Sequence, residues 1–374
     1  MTTDAIIIGG GIVGASTALH LRQHGLSVVI LERDRVGQRA SGVNFGGVRQ
    51  QGRALREIPF AIRSRRIWSN LKALIGTDGE FEVTGHLRLA RSDADMALIE
   101  DYNRAARGLG LSLEMLGRNA LAERFPWLGP VVVAGSLCAE DGQANPRLVG
   151  PAFAHAAGRA GAEIIEQAEV THAAKDGSQF RVATRDGKQY SAMVLVNAAG
   201  AWAGRVAEWF GEYVTIKPEV PQVLVTEPAP FRIAPVLGVV GGDLYLRQIP
   251  RGNVIFGGGE GRANDDWTLS RPLPEVAAKA ARTAVKIVPH LKDLPIIRMW
   301  TGVDGDTADG SPVIGPSQRV SDLYHGFGFC GHGFQLGVGA GAVLAELITE
   351  GGTPTPIDGL GIQRFLKENP VNPP

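Results

Sequence analysis

The sequence contains little cysteine and no excess of charge of either sign. Its two cysteines, Cys138 and Cys330, are too few for a disulfide framework and favour a reducing cytoplasm. Lysine plus arginine and aspartate plus glutamate number 38 each, so the formal net charge is zero. Because nucleic-acid-binding domains carry a basic excess, we expect no nucleic-acid partner.

Long apolar runs and clusters of metal ligands are also missing from the sequence. The longest apolar runs are too short or too rich in glycine to cross a bilayer, and Asp4 would break a secretory signal. We therefore expect a soluble protein, and a peripheral contact with the inner membrane stays open. The residue spacing indicates neither a metal site nor a Ser–His–Asp set. At 374 residues, the chain is long enough to form two domains.

Glycine is what the sequence has in excess, at 50 residues, and the first cluster of it lies between two apolar segments. Residues 5–8 predict a buried strand, residues 12–24 a helix, and residues 26–31 a second strand that ends at Glu32. Strand, glycine-rich turn, helix, strand and acid occur in the order of the βαβ unit that binds a dinucleotide. The alternative is a glycine-rich loop that arose by chance, and it requires all of these features to coincide.

The glycines of this turn fit the pattern G-x-G-x-x-G, and each has a physical role. Gly9 permits a tight turn, Gly11 lets a pyrophosphate approach the backbone, and Gly14 lets the helix pack closely on the strand. The helix N-terminus supplies free N–H groups and a partial positive charge to the phosphates. Glu32 is placed to accept hydrogen bonds from ribose hydroxyls and would repel a 2′-phosphate, so we do not expect NADP.

Three further segments are rich in small residues. Residues 39–53 form a loop that is rich in Ser, Gly and Asn and carries Arg49 and Arg53 near its end. Such a loop suits a phosphate or a flat ring, and the alternative is a flexible surface loop. Residues 193–202 predict another buried strand of the same sheet. Residues 323–336 predict a strand and a glycine-rich turn before a long Ala/Gly/Leu helix. We therefore expect the two ends of the chain to form one site.

The middle of the chain has a different pattern. Residues 214–228, 237–247 and 254–258 predict strands of a separate, largely antiparallel sheet. In the second of these segments, Tyr245 and Arg247 alternate with apolar residues. We expect this sheet to cover the site as a lid.

Local features complete the expected fold. Residues 59–74 predict one amphipathic helix, with Arg65 on its solvated face. An Asp-Gly pair predicts a hairpin between strands at residues 180–184 and 189–191. We expect His325, which lies in a strand, to be a hydrogen-bonded core residue.

These motifs together resemble the D-amino-acid oxidase superfamily of FAD enzymes, in the branch of sarcosine oxidase and glycine oxidase. The resemblance runs nearly end to end and rests on the opening βαβ unit, on Ala40-Ser41 with Asn44-Phe45-Gly46-Gly47, on Asn197-Ala198-Ala199-Gly200, on Trp300-Thr301-Gly302 with residues 309–315, and on residues 328–334. The string YHGFGFCGHGFQLG at residues 324–337 is the most specific sign. It is similar to the β subunits of opine oxidases, bacterial proline or hydroxyproline dehydrogenases, hydrogen cyanide synthase and tetrameric sarcosine oxidase.

The resemblance implies an α/β fold with a Rossmann-type, GR2-like FAD-binding domain and a second, largely antiparallel α+β substrate domain. We expect the discontinuous FAD-binding domain at residues 1–84, 142–213 and 300–374, and the substrate domain at residues 85–141 and 214–299. FAD should be bound non-covalently, because no cysteine lies near Thr301. The implied cofactor-binding residues are Gly9, Gly11, Ile12, Val13, Gly14, Glu32, Arg33, Ala40, Ser41, Asn44, Gly46, Gly47, Val170, Ala199, Gly200, Trp202, Gly302, Gly331, His332, Gly333, Phe334 and Gln335.

The chemistry that the resemblance implies is oxidation of a C–N bond. A hydride passes from the α-carbon of a neutral amine to N5 of the flavin, and the resulting imine hydrolyses. The protein supplies orientation and a dry surface, while the flavin supplies the redox step. Little general-acid or general-base apparatus is needed.

Three positions depart from the family pattern. Ile255 stands where monomeric sarcosine oxidase has an oxygen-activating lysine, so we expect a dehydrogenase rather than an oxidase. Gln335 replaces a lysine that helps to hold the substrate carboxylate, and Asp304 replaces a carboxylate-binding arginine of glycine oxidase. An acid at Asp304 or Asp306 would suit a substrate that carries a second, cationic arm.

The remaining candidates for substrate contact come from two segments. Arg49 and Arg53 are the expected carboxylate anchors, with Tyr245 and Arg247 behind them. Arg49 is the side chain that we favour most, because a buried cation is costly without an anionic partner. His332 beside the flavin is a structural contact, a flavin hydrogen bond or a base, and the sequence leaves these alternatives open.

The resemblance further implies a catalytic β subunit of a hetero-oligomeric dehydrogenase, with partner subunits and an electron acceptor. Covalent FMN is not expected, because residues 144–146 read Ala-Asn-Pro where tetrameric sarcosine oxidase has the linking histidine. Non-covalent FMN, or an iron–sulfur cluster with or in the partner subunits, stays open. The alternative functions are a 2-hydroxy-acid or glycerol-phosphate flavoenzyme, an NAD-only dehydrogenase and a catalytically silent flavin-binding partner.

Overall fold

The computed structural model describes residues 2–366. In chain order its strands are β1 Thr2–Ile8, β2 Val28–Leu31, β3 Gly47–Val48, β4 His86–Ala90, β5 Glu114–Gly117, β6 Ala134–Cys138, β7 Gly142–Gln143, β8 Glu163–Ile165, β9 Val170–Asp176, β10 Gln179–Thr184, β11 Gln189–Asn197, β12 Ile216–Glu219, β13 Pro221–Pro228, β14 Val236–Val239, β15 Tyr245–Gln248, β16 Asn253–Glu260, β17 Arg262–Ala263, β18 Ser270–Arg271, β19 Ile296–Thr301, β20 Asp304–Thr307, β21 Val313–Pro316 and β22 Leu323–Phe327.

The same residues form eleven α-helices and three short 3₁₀ helices. The α-helices are α1 Ile12–Gln23, α2 Ala40–Val43, α3 Ile58–Ser69, α4 Leu71–Ile75, α5 Asp93–Arg107, α6 Arg118–Arg124, α7 Pro146–Arg159, α8 Ala203–Glu208, α9 Pro274–Ile287, α10 Gly333–Glu350 and α11 Gln363–Leu366. The 3₁₀ helices cover Leu55–Glu57, Gly200–Trp202 and Pro289–Asp293.

The first sheet has the opening βαβ unit at its centre. Its order is β21-β22-β11-β1-β2-β8, and β1 pairs in parallel with both β11 and β2. Strands β9 and β10 extend it as an antiparallel hairpin next to β11. Ile6 and Ile7 point to opposite faces of β1, and both are fully buried. Both faces of this sheet are therefore covered, as expected for parallel strands at the centre of an α/β layer.

Two long helices cross this sheet at close range. Helix α1 packs against α10 and α7, and α10 also packs against α3. The contact between α1 and α10 is tight, because a Cβ atom on Gly341 would lie 2.3 Å from Oγ of Ser16. The Ser16 hydroxyl donates a hydrogen bond of 2.9 Å to the carbonyl of Val338. Small residues therefore let α1 and α10 pack closely, and the N-termini of both helices line the same cavity.

The second sheet comes from the middle of the chain. Its order is β19-β13-β16-β15-β14-β4-β6-β5, and all neighbours are antiparallel except β14 and β4. Helix α9 packs on it and closes a separate apolar core that includes Leu237, Leu246 and Phe256. Strands β12 and β20 form a two-stranded ribbon outside both large sheets.

The fold class predicted from the sequence is confirmed. A parallel α/β layer carries the glycine-rich turns, and a largely antiparallel sheet lies beside it. The strands of the second sheet fall at residues 86–138 and 221–301. The exact domain division stays a prediction, and its residues 1 and 367–374 lie outside the described part of the chain.

Two local predictions were wrong in detail. Residues 59–74 form two helices, α3 and α4, because the helical backbone is interrupted at Asn70. Arg65 is buried rather than solvated: its Nε donates to the carbonyl of Glu140, and its guanidinium lies 5.0 Å from the ring centroid of Phe81. Helical periodicity cannot predict such a carbonyl acceptor, because it comes from a distant segment.

The predicted hairpin is present, but its second strand is longer than expected. Strand β11 runs without a break from the hairpin to the carboxyl end of the parallel sheet. The sequence suggested two separate strands here, and the structure merges them. Within residues 2–366, no helix combines the length and the apolar character that crossing a bilayer would require.

Buried polar pairing fixes the carboxyl end of the sheet. His325 and Glu212 are both fully buried, and Nε2 of the histidine lies 2.8 Å from Oε2 of the glutamate. The other carboxylate oxygen of Glu212 accepts a hydrogen bond of 2.7 Å from the backbone N–H of Gln318. The expectation that His325 is a hydrogen-bonded core residue is confirmed.

Replacing Glu212 by alanine should lower the free energy of unfolding by about 2–4 kcal/mol, because buried polar groups lose their partner. Burial opposes ionisation, but the hydrogen bonds from His325 and Gln318 hold the pKa of Glu212 below its ordinary value of 4.5. An acid with a lowered folded-state pKa stabilises the protein above its unfolded pKa, and this stabilisation is lost as the pH falls through the folded pKa. Urea unfolding at several pH values should therefore show the two proteins converging in acid. Equal stability at pH 7 would contradict the prediction.

Candidate active site

One large cavity lies between the two sheets and is reached by both ends of the chain. Its volume is about 1240 Å³, above the roughly 300–1,000 Å³ usual for small-ligand pockets. Residues 8–13, 39–53 and 326–334 line it, together with residues 219–223 and 236–245 of the second sheet and its ribbon. The opening turn, the arginine-bearing loop and the late glycine-rich turn thus meet at one site.

The opening turn leaves backbone exposed to this cavity. Gly9 has a φ of +107°, and a Cβ atom there would lie 2.4 Å from the carbonyl oxygen of Ala198. A Cβ atom on Gly14 would lie 2.0 Å from the carbonyl oxygen of Gly9, so only glycine fits at either position. Gly11 is the N-cap of α1, has extended backbone and makes no side-chain cap. The cradle beside Gly11 fits a pyrophosphate, which needs close backbone approach.

Ser41 supports the same turn. Its Oγ accepts a hydrogen bond of 2.9 Å from the backbone N–H of Ile12, and it lines the cavity. The hydroxyl can still donate to a bound anion. The helix N-terminus and the serine hydroxyl together therefore provide donors for phosphate oxygens.

Glu32 is held in place by the backbone. Its two carboxylate oxygens accept hydrogen bonds of 2.7 Å from Gly10 and 2.8 Å from Asp34. Burial raises the pKa of this carboxyl, although the two N–H donors oppose the shift. Each carboxylate oxygen retains a lone pair, so the group can also accept from ribose hydroxyls.

The adenosine end of the cavity is partly aromatic. The guanidinium of Arg33 lies 3.9 Å from the ring centroid of Trp202, and both side chains line the cavity. Val170, Ala199 and Gly200 line the same region. These five residues are among those that the sequence assigned to the cofactor, and Val170 was assigned to its adenine.

The loop at residues 44–47 lies between the two sheets. Oδ1 of Asn44 accepts a hydrogen bond of 2.8 Å from the N–H of Gly46. Nε of Arg247 donates to the carbonyl of Phe45, and its Nη1 lies 3.3 Å from Oε1 of Gln143. Arg247 is not among the lining residues, and two of its guanidinium nitrogens donate to these protein acceptors, so the structure does not place it as a substrate contact. It positions the loop instead.

Arg49 and Arg53 form a cationic wall in the cavity. Arg53 is 3% exposed, its Nε donates to the carbonyl of Arg49, and its Nη2 lies 3.4 Å from Oε1 of Gln335. Its Nη1 is buried and has no hydrogen-bond partner anywhere in residues 2–366. Burial, with a contribution from the charge of Arg49, lowers the pKa of Arg53 to about 9. A buried donor on a buried cation marks the place of an anion.

Carboxylates lie near this wall, but none in the described chain accepts a hydrogen bond from Nη1 of Arg53. Arg88 also lines the cavity and adds a third guanidinium near His86. Asp141 is fully buried and accepts hydrogen bonds from Gln50 and Gln51, and it faces the arginines together with Glu57. Arg88 in turn faces Asp95, so each of the three arginines has a carboxylate in its surroundings.

Gln335 and Gly14 were assigned to the cofactor, and neither lines the cavity. Gln335 is fully buried, donates a hydrogen bond of 2.9 Å to the carbonyl of Ala61 and accepts from Arg53. It therefore orients the arginine rather than contacting a ligand. Gly14 acts only through packing on the turn.

His332 lies beside the arginines at the start of α10. It lines the cavity, and its Nδ1 is 3.0 Å from Oε2 of the fully buried Glu57. Gly331, Gly333 and Phe334 line the cavity on either side of it. The N-terminus of α10 thus faces the same space as that of α1.

An acidic group occupies the opposite side of the Gly331 turn. Asp304 accepts backbone hydrogen bonds of 2.9 Å from Gly305 and from Gly331, so both its oxygens are engaged. Glu219 lies directly across the β12–β20 ribbon from Asp304 and lines the cavity. Its Oε2 and Oδ1 of Asp306 are both buried and receive no hydrogen bond from other groups of the described chain, and the two carboxyl groups interact with each other. Burial, and then the carboxylates of Asp306 and Asp304, raise the pKa of Glu219.

Tyr245 and Gly302 complete the lining from the lid side. The Tyr245 hydroxyl donates a hydrogen bond of 2.9 Å to the carbonyl of Gln222, and its ring meets that of Phe45 edge-on at 4.8 Å. Burial, and then the charge of Glu219, raise the pKa of this tyrosine. Tyr245 is therefore a neutral, fixed wall over the cavity.

Comparison with known proteins identifies the family. The family model described as DAO, FAD dependent oxidoreductase, matches residues 4–347. The chain belongs to this family. The resemblance predicted from the sequence is thereby confirmed, and so is FAD as the cofactor.

Relatives match this FAD-dependent oxidoreductase over nearly its whole length. An opine oxidase subunit from Rhizobium meliloti is 29% identical, over 97% of each chain. The beta subunit of sarcosine oxidase from Rhizobium meliloti (strain 1021) is 28% identical, over 97% of this chain and 88% of its own. The crystal structure of L-proline dehydrogenase from P. horikoshii superposes with a TM-score of 0.91 at 29% identity, covering 98% of this chain and 99% of that chain.

Several side chains at the site of this FAD-dependent oxidoreductase were not found from the sequence. Glu57, Arg88 and Glu219 were missed, because their positions depend on long-range packing. The spacing of Arg53 and Glu57 gave no signal either, because Arg53 lies outside the 3₁₀ helix that begins at Leu55. The roles of all the predicted site residues stay predictions.

Proposed function

We propose that this protein oxidises a C–N bond of a secondary amine or amino acid that carries a carboxylate. We further propose that it acts as the catalytic subunit of a hetero-oligomeric dehydrogenase. When bound, FAD accepts the hydride that leaves the α-carbon of the substrate. The protein's own residues bind, orient and dehydrate the reactants.

The unpartnered guanidinium of Arg53 carries the proposal. Its Nη1 is buried and has no hydrogen-bond acceptor within the described residues, although Glu57 and Asp141 lie nearby. A substrate carboxylate would supply the missing acceptor. An amine that lacks a carboxylate would leave the same cation buried without a partner.

The proposal gives separate tasks to the remaining residues. Gly11 and Ser41 would hold the pyrophosphate of FAD, and Glu32 the ribose. Loop residues 44–47 and the N-terminus of α10 would hold the flavin ring. Tyr245 closes the lid side and keeps water away from the reacting carbon.

The proposed use of a partner electron acceptor rests on one substitution and on the relatives. Ile255 faces Arg247 across β15 and β16, where an oxygen-activating lysine was expected for an oxidase, and it is largely buried. An apolar side chain supplies no cation to stabilise reduced oxygen. Several relatives are named as subunits of larger enzymes, which supports partner subunits here as well. FMN or an iron–sulfur cluster with or in those partners would carry the electrons onward.

A direct test mixes purified, yellow protein with a substrate panel without oxygen. We expect secondary amino acids, imino acids or opines to bleach the flavin absorbance, and oxygen to restore it slowly. Bleaching only by 2-hydroxy acids or glycerol phosphate would contradict the proposal and favour the alternative chemistry. Bleaching by no member of the panel would favour a silent flavin-binding partner.

The acidic side of the cavity makes a separate prediction about substrate choice. The sequence pointed to Asp304 or Asp306. Both oxygens of Asp304 hold backbone N–H groups, whereas Glu219 and Asp306 each have a buried oxygen that receives no hydrogen bond from other groups of the described chain. A cationic arm bound there would favour the ionised form of Glu219, whose pKa is otherwise raised to about 8. Glu219→Gln should then reduce the preference for a cationic over a neutral amino acid about tenfold, which corresponds to ~1.4 kcal/mol. The ratio of kcat/KM for two such substrates measures it, with Asp101→Asn as an exposed control. An unchanged ratio would remove the cationic arm from the proposal.

A further inference from the structure

A buried carboxylate stands behind the histidine of the cavity. Glu57 ends the 3₁₀ helix Leu55–Glu57 and is fully buried, with its Oε2 3.0 Å from Nδ1 of His332. Burial opposes its ionisation, but the hydrogen bond and charge of His332, and the charge of Arg53, lower the pKa of Glu57. Glu57 is therefore a carboxylate at neutral pH, and it must accept the hydrogen bond.

The carboxylate determines the tautomer of the imidazole. Because Glu57 accepts, Nδ1 of His332 carries the proton, and Nε2 carries a lone pair. Nε2 makes no hydrogen bond to any protein atom of the described chain, and the ring is 16% exposed where it lines the cavity. His332 thus presents a hydrogen-bond acceptor to whatever binds next to Arg53.

The charges around His332 keep it neutral until an anion binds. Burial, and then the positive charge of Arg53 with a smaller one from Arg49, lower the pKa of His332 to about 4, while Glu57 acts in the opposite direction. Asp304 and Glu219 lie beyond the adjacent Gly331. A carboxylate bound to the arginines would cancel much of their field and raise the proton affinity of the imidazole.

The chemistry requires a proton acceptor at this point. The nitrogen of an amino acid in solution at neutral pH is protonated. A protonated nitrogen has no lone pair to form the C=N bond as the hydride leaves the α-carbon. One proton must leave the nitrogen before the C–H bond breaks.

We propose that Nε2 of His332 takes this proton from the substrate ammonium, and that Glu57 is the positioning residue that keeps Nε2 unprotonated and aimed at the substrate. This inference rests on the proposed function. The N–H bond of the ammonium breaks and an Nε2–H bond forms, so the substrate becomes a neutral amine and His332 an imidazolium paired with Glu57. The hydride then leaves the α-carbon, and the imidazolium returns its proton to water.

The test follows anaerobic reduction of the FAD-loaded protein by stopped-flow between pH 7 and pH 10, with the best substrate of the panel. In the wild type, the protonated substrate is usable, so the ratio of the reduction rate constant to Kd should fall only weakly toward pH 7. In His332→Gln, only the free-base amine is productive, and its fraction drops about tenfold for each pH unit below the amine pKa. The ratio of wild type to His332→Gln should therefore grow nearly tenfold per unit and approach one near pH 10.

Glu57→Gln provides a second variant that does not touch the cavity. Its amide oxygen still accepts from Nδ1, so the orientation stays while the charge is lost. We expect its efficiency at pH 7 to lie between those of the wild type and His332→Gln, and to approach the wild type at pH 10. Asp101→Asn, an exposed carboxylate on α5, is the charge-matched control and should equal the wild type throughout.

The outcomes separate the inference from the function on which it rests. A loss in both variants by the same factor at every pH would mean that the pair is structural, and would overturn the inference. Wild-type FAD that no carboxylated amine reduces would instead overturn the proposed function. FAD content, read from absorbance before each run, shows whether either variant has lost its cofactor. If His332→Gln cannot hold FAD, the pH profile of Glu57→Gln alone decides between the two results.

Discussion

Arg53→Met should keep its FAD and lose about 100-fold in the ratio of reduction rate constant to Kd for a carboxylated amine. Each hydrogen bond to a charged group contributes about 1.5–3 kcal/mol, and a factor of 100 corresponds to ~2.7 kcal/mol. The loss should appear mainly in Kd, because the carboxylate is bound in the ground state as well. Methionine fills a similar volume, so packing against Gln335 is retained.

Two further variants serve as a graded comparison and as a control for Arg53→Met. Arg53→Lys keeps a charge but cannot reproduce the planar fork of a guanidinium, and we expect an intermediate loss. Arg66→Met removes an exposed arginine from α3 and should match the wild type. A wild-type Kd in Arg53→Met would show that the substrate carboxylate binds elsewhere, with Arg49 or Arg88 as the next candidates.

Gly11→Val should give a folded but colourless protein. Gly11 has an extended backbone that valine also adopts, and its Cβ would meet only Oγ of Ser41, at 3.1 Å. The fold therefore tolerates the change, while the branched side chain fills the cradle that a pyrophosphate needs. Losing two or more charge-assisted hydrogen bonds should weaken FAD binding by at least about 100-fold.

Absorbance at the flavin maximum and thermal melting with added FAD measure this effect. FAD should raise the melting temperature of the apo wild type, and should leave that of Gly11→Val unchanged, because a ligand stabilises only the state that it binds. Gly352→Val is the matched control, since a Cβ atom there meets nothing within 4 Å. A yellow Gly11→Val protein with full FAD content would place the pyrophosphate away from this turn.

The glycine-rich turns could be predicted because their constraints are local. Gly9 and Gly14 permit no Cβ for reasons that lie within a few residues of the motif or on the adjacent strand. The hydrophobic run of β1 is buried on both faces, so its pattern alone indicated a parallel strand. The cavity between the two ends followed from these elements, because the carboxyl ends of parallel strands meet at one edge.

The side-chain roles were less accessible, because they depend on partners far away in sequence. Arg247 was expected at the substrate, yet Phe45 and Gln143 take its guanidinium. Arg65 was expected in solvent, yet it is buried and donates a hydrogen bond to the carbonyl of Glu140. Glu219 gained its position from the register of β12 against β20, which residue spacing does not reveal.

The same reasoning explains the change in the interpretation of Gln335. From the sequence, Gln335 replaced a lysine that helps to hold the substrate carboxylate, so one carboxylate contact was expected to be missing. In the structure its amide orients Arg53 and ties it to the backbone of α3. Under the proposed function, the carboxylate contact would then fall to Arg53, which Gln335 holds in place.

The central claim is that bound FAD is reduced by an amine whose carboxylate lies on Arg53. The most direct measurement is anaerobic titration of the wild-type protein with one matched pair, the best amino acid of the panel and the same amine without its carboxylate. We expect the amino acid to bleach the flavin at a concentration at least about 100-fold below that of its decarboxylated analogue, which corresponds to ~2.7 kcal/mol. Equal bleaching by both compounds would contradict the claim.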